Sequence, residues 1–132
     1  PQNFIVRHSV PQLEILQRTS LFITHAGMNS ASEALYYGVP LLAIPEANDQ
    51  PYVARRIVHL GAGISLPPKH VTASRLRRLA DTILADASYA QASARIGESL
   101  RQAGGFLAAV EEIQRFKQKH GIDQAIAIVQ MA

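Results

Sequence analysis

The sequence predicts an α/β fold built on an open parallel sheet, and three observations carry that expectation. Short apolar runs rich in strand formers alternate with longer segments of helical periodicity. Turn signals, chiefly glycine and proline, punctuate the passage from one to the next. Apolar residues make up 48% of the 132 and charged residues 17%, a balance that suits one globular domain with a modest core.

The elements follow in order. "FIVR", Phe4 to Arg7, is the first expected strand, and "PQLEILQRT" the first short helix, with Pro11 near its first turn. "LFIT", Leu21 to Thr24, is the second strand, and "SASEALYY" a helix expected to begin at Ser30 and stop at Gly38. "LLAI", Leu41 to Ile44, follows a Gly-Val-Pro break and is closed by Pro45. In "DQPYVARRIVHL", Asp49 is the expected N-cap, Pro51 sits just inside, and Gly61 lies just past the end. "GISL", Gly63 to Leu66, is closed by Pro67 and Pro68. Thr72 is placed to cap "ASRLRRLADTILAD", whose Leu76, Leu79, Ala80, Ile83 and Leu84 share one face. Helical stretches Tyr89 to Ala103 and Phe106 to His120 are separated by Gly104-Gly105, and the apolar tail "AIAIVQM" follows Gly121. The expectation is a partial, Rossmann-like parallel sheet of about four strands with flanking helices and a helical tail from about residue 88. All of it is read as a single domain, residues 1–132.

Several function classes drop out. The absence of cysteine excludes disulfides and thiolate metal sites and fits a reducing, cytoplasmic setting. No apolar run reaches the ~20 residues needed to span a bilayer, so no membrane span is expected. A formal charge of +3 with 6% aromatics gives no basic-aromatic stripe, so nucleic acid is not an expected partner. The basic runs "RLRRL" and "RFKQKH" read as solvated helix faces, and Tyr36 and Tyr37 as core or rim. Gly61 to Gly63 runs from helix to strand, the reverse of a dinucleotide fingerprint, and there is no Walker loop or Gly-x-Ser-x-Gly elbow. His8, His25, His59, His70 and His120 lack any paired ligand spacing, so no metal site is expected.

What remains is the stretch "FITHAGMNSASEALYYGVPLLAIPEANDQ", Phe22 to Gln50. A strand runs through a His-Ala-Gly turn into a helix, which brings backbone N–H groups and the positive helix end to the carboxyl edge of a parallel sheet. His25, Asn29 and Ser30 add side-chain donors there. Ser30 and Glu33 also have the spacing of a capping box, which needs no ligand. A second polar cluster, "ANDQP", ends the next strand, and Asp49 could serve there as a plain N-cap. The functional reading gains weight from convergence, since two consecutive strands deliver an imidazole, neutral donors and a carboxylate to one edge.

These residues resemble a known family. "VPQLEIL" and "LFITHAGMNSASEALYYGVPLLAIPEANDQPYVARRIVHLGAG", within Val10 to Gly63, are similar to the nucleotide-sugar signature of inverting GT-B glycosyltransferases, of the bacterial macrolide and UDP-glucosyl/glucuronosyl transferase type. The likeness continues more weakly through "ARIGESLRQAGGFLAAVEEI". It implies that His25 contacts the donor diphosphate, aided by the backbone at Gly27 and by Asn29 and Ser30 at the helix start, with Met28 also in the donor-binding set. It implies that Glu33 accepts hydrogen bonds from the ribose hydroxyls, that Asp49 and Gln50 hold hydroxyls of the transferred sugar, and that Gln12 and the backbone of Val10 lie beside the base. A UDP-sugar would be the donor, with no metal, and a small hydroxylated molecule the acceptor.

There are departures. Ser9 stands where the family usually has an aromatic that stacks on the base, Met28 where plant members have Trp, and Ala31 where Thr is common. In the family the catalytic base, a His supported by an Asp, belongs to an N-terminal acceptor domain, and nothing in this sequence corresponds to it. The resemblance thus implies the C-terminal, donor-binding part of a transferase, with no catalytic residue among these 132. The alternative is a non-catalytic nucleotide-sugar-binding or interaction module, completed by a partner chain or by self-association through unpaired strand edges.

Overall fold

The computed structural model describes Gln2–Ile122, and the order of elements within it is α1 (Gln12–Leu16), β1 (Phe22–Thr24), α2 (Met28–Tyr36), β2 (Leu41–Ala43), α3 (Gln50–His59), β3 (Gly63–Ser65), a 3₁₀ turn at Pro68–His70, α4 (Ala73–Ala85), α5 (Ala87–Gln102) and α6 (Gly105–Lys119). The strands form one parallel sheet in the order β1-β2-β3, with Phe22 beside Leu41 and Leu41 beside Gly63. Successive side chains of a strand point to opposite faces, and β2 shows it directly. Leu41 and Ala43 join a core with Ala31, Ala34 and Leu35 of α2 and Val53, Ala54 and Ile57 of α3. Leu42 points the other way and packs with Leu66 and with Ile83 of α4. The central strand is buried on both faces, which is why "LLA" is continuously apolar rather than alternating.

Close approach of backbone explains one glycine. A Cβ on Gly63 would lie 2.0 Å from the carbonyl oxygen of Leu41, so the β2–β3 pair can form only if this position has no side chain. Gly38, which ends α2, adopts φ 73, and Gly61, which ends α3, adopts φ 71, the left-handed conformation that closes a helix. Ser93 of α5 is fully buried and donates its hydroxyl to the Ala62 carbonyl at 3.4 Å.

Three expectations need correction. The sheet has three strands among the described residues, not about four. Phe4, Ile5 and Val6 are 68%, 83% and 79% exposed and join no ladder. Strand propensity alone cannot hold a segment whose N–H and C=O groups have no neighbouring strand to pair with. The helix α2 begins at Met28, two residues before the expected Ser30, because Gly27 occupies the N-cap. The capping box therefore does not form: Ser30 is the third helical residue and α2 carries no side-chain cap bond. The tail "AIAIVQM" lies outside the described residues.

The described residues divide into two compact units, one running to Glu98 and one starting at Ser99. In the second, Gly104 and Gly105 adopt φ 79 and 56 and lead into α6, on which Phe106, Leu107, Val110, Ile113 and Phe116 are exposed.

Candidate functional site

The carboxyl ends of β1 and β2 open into one cleft of about 400 Å³, lined by His25, Gly27, Met28, Asn29, Ser30, Asp49 and Gln50. The sequence singled out each of these, and the fold brings them together from two loops. The first loop leaves β1 at Thr24, whose hydroxyl accepts a hydrogen bond from the N–H of Ala26 at 3.3 Å. Ala26 is fully buried with φ 63, a conformation that an L-residue adopts at a cost of roughly 1–2 kcal/mol. The kink returns the chain at once into α2. His25 folds back over it, with its Nε2 only 2.6 Å from where a Cβ on Gly27 would stand.

The start of α2 is chemically open. The first intrahelical bond runs from the Ala31 N–H to the Gly27 carbonyl at 3.0 Å. The N–H groups of Met28, Asn29 and Ser30 thus have no acceptor in the helix, and no side chain caps them. Three donors, the positive end of the helix dipole and an imidazole line one cleft, which is the chemistry of an anion site.

The second loop leaves β2 at Ala43. Asn48 adopts φ 56, and Asp49 takes the N-cap position of α3 as expected. Its carboxylate makes no cap bond, contrary to the plain capping role open to it. The start of α3 is tied down otherwise, with the Gln50 N–H donating to the Ala47 carbonyl at 3.2 Å and the Tyr52 N–H to the Asp49 carbonyl at 3.0 Å. Meanwhile the Gln50 side-chain oxygen accepts from the N–H groups of Glu46 and Ala47. The Asp49 carboxylate, an acceptor only, lines the same cleft as the start of α2.

The remaining expected residues, Val10, Gln12 and Glu33, do not line this cleft. Gln12 and Glu33 are instead joined to each other: the Gln12 Nε2 donates to the Glu33 Oε2 at 2.6 Å, half-buried, tying α1 to α2. Val10 is 47% exposed just ahead of α1. Among the described residues no group of three or more His, Asp or Glu is disposed to hold a metal, and no helix is long and apolar enough to cross a membrane.

Sequence reasoning missed the two strained residues and the Gln50 bonds. Asn48 carried a usable signal, since asparagine tolerates the left-handed region. Ala26 carried none, because nothing in His-Ala-Gly says which residue turns.

Comparison with known proteins places these features in context. Residues 1–103 match the family model "Erythromycin biosynthesis protein CIII-like, C-terminal domain". The chain is 46% identical over 120 residues to the uncharacterized UDP-glucosyltransferase YojK of Bacillus subtilis, a match covering 90% of this chain and 30% of that protein. It is 40% identical over 124 residues to the NDP-glycosyltransferase YjiC of the same organism, covering 94% of this chain and 32% of that protein. It resembles the crystal structure of the glycosyltransferase VinC in complex with dTDP, with a TM-score of 0.84 and 27% identity over 90% of this chain and 30% of VinC. The chain thus spans about a third of the length of the relatives it matches.

Proposed function

The chain belongs to the erythromycin biosynthesis protein CIII-like C-terminal domain family, and we propose that it is the donor-binding part of a glycosyltransferase. In that reading a hexosyl group passes from a UDP-sugar to a small hydroxylated acceptor with inversion. One observation carries the proposal: the uncapped start of α2, with His25, and the unpaired Asp49 carboxylate line one cleft. An anion belongs on the first side and a polyol on the second, and a nucleotide-sugar is both.

His25 and the N–H groups of Met28, Asn29 and Ser30 hold the diphosphate. As the bond from the sugar C1 to the leaving oxygen breaks, negative charge grows on that diphosphate. Donors already aimed at it stabilise the charge without reorganising. Asp49 accepts from sugar hydroxyls and the Gln50 amide donates to their oxygens, which fixes C1 for attack from the opposite face. Glu33 takes the ribose hydroxyls, with Gln12 and Val10 beside the base. The acceptor hydroxyl attacks C1 and gives its proton to a base that these residues do not supply. A cytoplasmic setting belongs to the same proposal and is supported by the cysteine-free sequence.

Calorimetric titration of the chain with UDP, dTDP and UDP-glucose tests this. UDP is expected to bind, UDP-glucose to bind more tightly, and the ratio of UDP to dTDP to report the base and ribose preference. Silence with all three ligands at millimolar concentration overturns donor recognition.

A second reading, a binding module that self-associates, is favoured by the exposure of Phe4, Ile5 and Val6 together with Ile23 of the edge strand β1, itself 48% exposed. Sedimentation velocity across a concentration series decides it. A single monomeric species throughout removes this reading.

A further inference from the structure

The Gln50 side chain is committed in a way that its place in a sugar-binding pair does not require. Its Oε1 accepts two backbone hydrogen bonds, from the N–H of Glu46 at 2.8 Å and of Ala47 at 3.1 Å. Both partners are donors, so the amide oxygen, not the NH2 group, must face the loop. The loop that it closes runs from β2 to α3 and contains Asn48 at φ 56. A residue in that region costs roughly 1–2 kcal/mol relative to the right-handed alternative, so surrounding bonds must hold it. The Gln50 backbone adds a third tie, its N–H donating to the Ala47 carbonyl at 3.2 Å. Side chain and main chain of one residue thus clamp both sides of the turn that delivers Asp49 to the cleft.

We propose that Gln50 is a positioning residue: its amide oxygen fixes the Glu46–Asp49 turn and with it the direction of the Asp49 carboxylate, leaving only its NH2 group for a ligand. The proposal rests on the reading of this cleft as a sugar-donor site. Gln50 then acts on the sugar twice, once directly through two N–H donors and once through Asp49. The two contributions separate by substitution. Gln50→Ala removes both. Gln50→Glu keeps an acceptor oxygen at the same reach, beside a helix start that favours negative charge, but removes the NH2 group. Asp49→Asn leaves the clamp intact and weakens the acceptor.

The test combines amide hydrogen exchange of the 132-residue chain, read at Glu46 and Ala47, with titrations of UDP and UDP-glucose. In the wild type both amides are expected to be protected by their bonds to the Gln50 side-chain oxygen. In Gln50→Ala they are expected to exchange faster, and the factor by which UDP-glucose outbinds UDP to fall about tenfold, the loss of more than one hydrogen bond. In Gln50→Glu the protection returns together with part of that factor. In Asp49→Asn the factor falls while both amides stay protected. If Gln50→Ala leaves the two amides as protected as in the wild type, or Gln50→Glu fails to restore them, the clamp is refuted whatever happens to binding. If the wild type binds neither ligand, the donor-site reading fails, and with it the consequence for the sugar. The exchange data then still decide whether Gln50 sets the turn.

Discussion

Gly27→Ala separates the role of the imidazole from that of the backbone at the end of the cleft proposed to hold the diphosphate. Gly27 has φ −62 and ψ 146, which alanine adopts without strain. Alanine is a poorer N-cap than glycine by about 1 kcal/mol, but it also loses less chain entropy on folding, a gain of about 0.4–1 kcal/mol. The two terms nearly cancel, so the melting temperature should barely move. The site should not be so tolerant. The new methyl would stand 2.6 Å from the His25 Nε2, where ordinary contact begins at 3.4 Å, so the ring must retreat by about 0.8 Å or rotate away. A hydrogen bond to a charged group contributes about 1.5–3 kcal/mol, so losing it weakens UDP binding by roughly 10- to 150-fold. Calorimetry on Gly27→Ala, His25→Ala and the double variant tests the reasoning. Both single variants should lose a similar factor, and the double should lose no more than His25→Ala alone. If Gly27→Ala binds UDP like the wild type, His25 does not act from this position. If the methyl still weakens binding once His25 is alanine, it obstructs the ligand directly and the argument through the imidazole is refuted.

Three further outcomes follow from the same structure. Gly63→Ala drives a methyl into the Leu41 carbonyl at 2.0 Å, which only separation of β2 from β3 relieves; chemical denaturation should show a loss of about 3 kcal/mol. Gln12→Ala strips the half-buried Glu33 Oε2 of its donor and should cost about 1–2 kcal/mol by the same assay, a cost that a Gln12/Glu33 double-mutant cycle should assign to the pair. Asp86 accepts hydrogen bonds from the side chain and backbone of Ser88, which hold its carboxyl below the ordinary 3.8. A lowered pKa stabilises the fold above the unfolded value and loses that contribution as pH falls through the folded one. Asp86→Ala should therefore lower the melting temperature slightly at neutral pH, with the difference from wild type shrinking in acid well below 3.8; a constant difference would refute the assignment.

The parts of this fold legible in the sequence are those written in local pattern. "LLA" between Gly-Val-Pro and Pro45 declares a buried strand, and Thr72 ahead of an amphipathic run declares the start of α4, where its hydroxyl accepts from the Arg75 N–H at 3.2 Å. The start of α2 was harder because Gly27, Asn29 and Ser30 are all good N-cap types within four residues, and local chemistry does not rank them. The backbone settles it, since the Ala31 N–H bonds the Gly27 carbonyl at 3.0 Å and so makes Gly27 the N-cap. The failure of Phe4 to Arg7 to form a strand and the bond between Gln12 and Glu33, 21 residues apart, are tertiary facts that no window of sequence encodes. Seven of the residues expected at the site do share one cleft, because they lie in the two loops and helix starts that follow β1 and β2 of a parallel sheet, and the sheet itself aligns those ends.

Backbone strain coinciding with open helix starts supports a binding function over a purely structural one for the two loops. Side-chain acceptors serve the starts of α4, from Thr72, and α5, where the Asp86 carboxylate takes the Ser88 N–H at 2.9 Å, while α1 and α6, behind Pro11 and Gly104, have none. At α2 and α3, whose starts line the cleft, no side chain caps the helix, although Ser30, Asn29 and Asp49 stand within reach of that role. The Gly27 cap of α2 costs a few tenths of a kcal/mol relative to serine or asparagine, and the unmade Asp49 cap bond of α3 forgoes about 1 kcal/mol. The only two described non-glycine residues at positive φ, Ala26 and Asn48, fall in the same two loops and add to that cost. A chain selected for stability alone would gain by relieving all four features. Their coincidence around one cleft is what a site looks like when its unsatisfied donors and its exposed acceptor are held ready for a ligand that completes them.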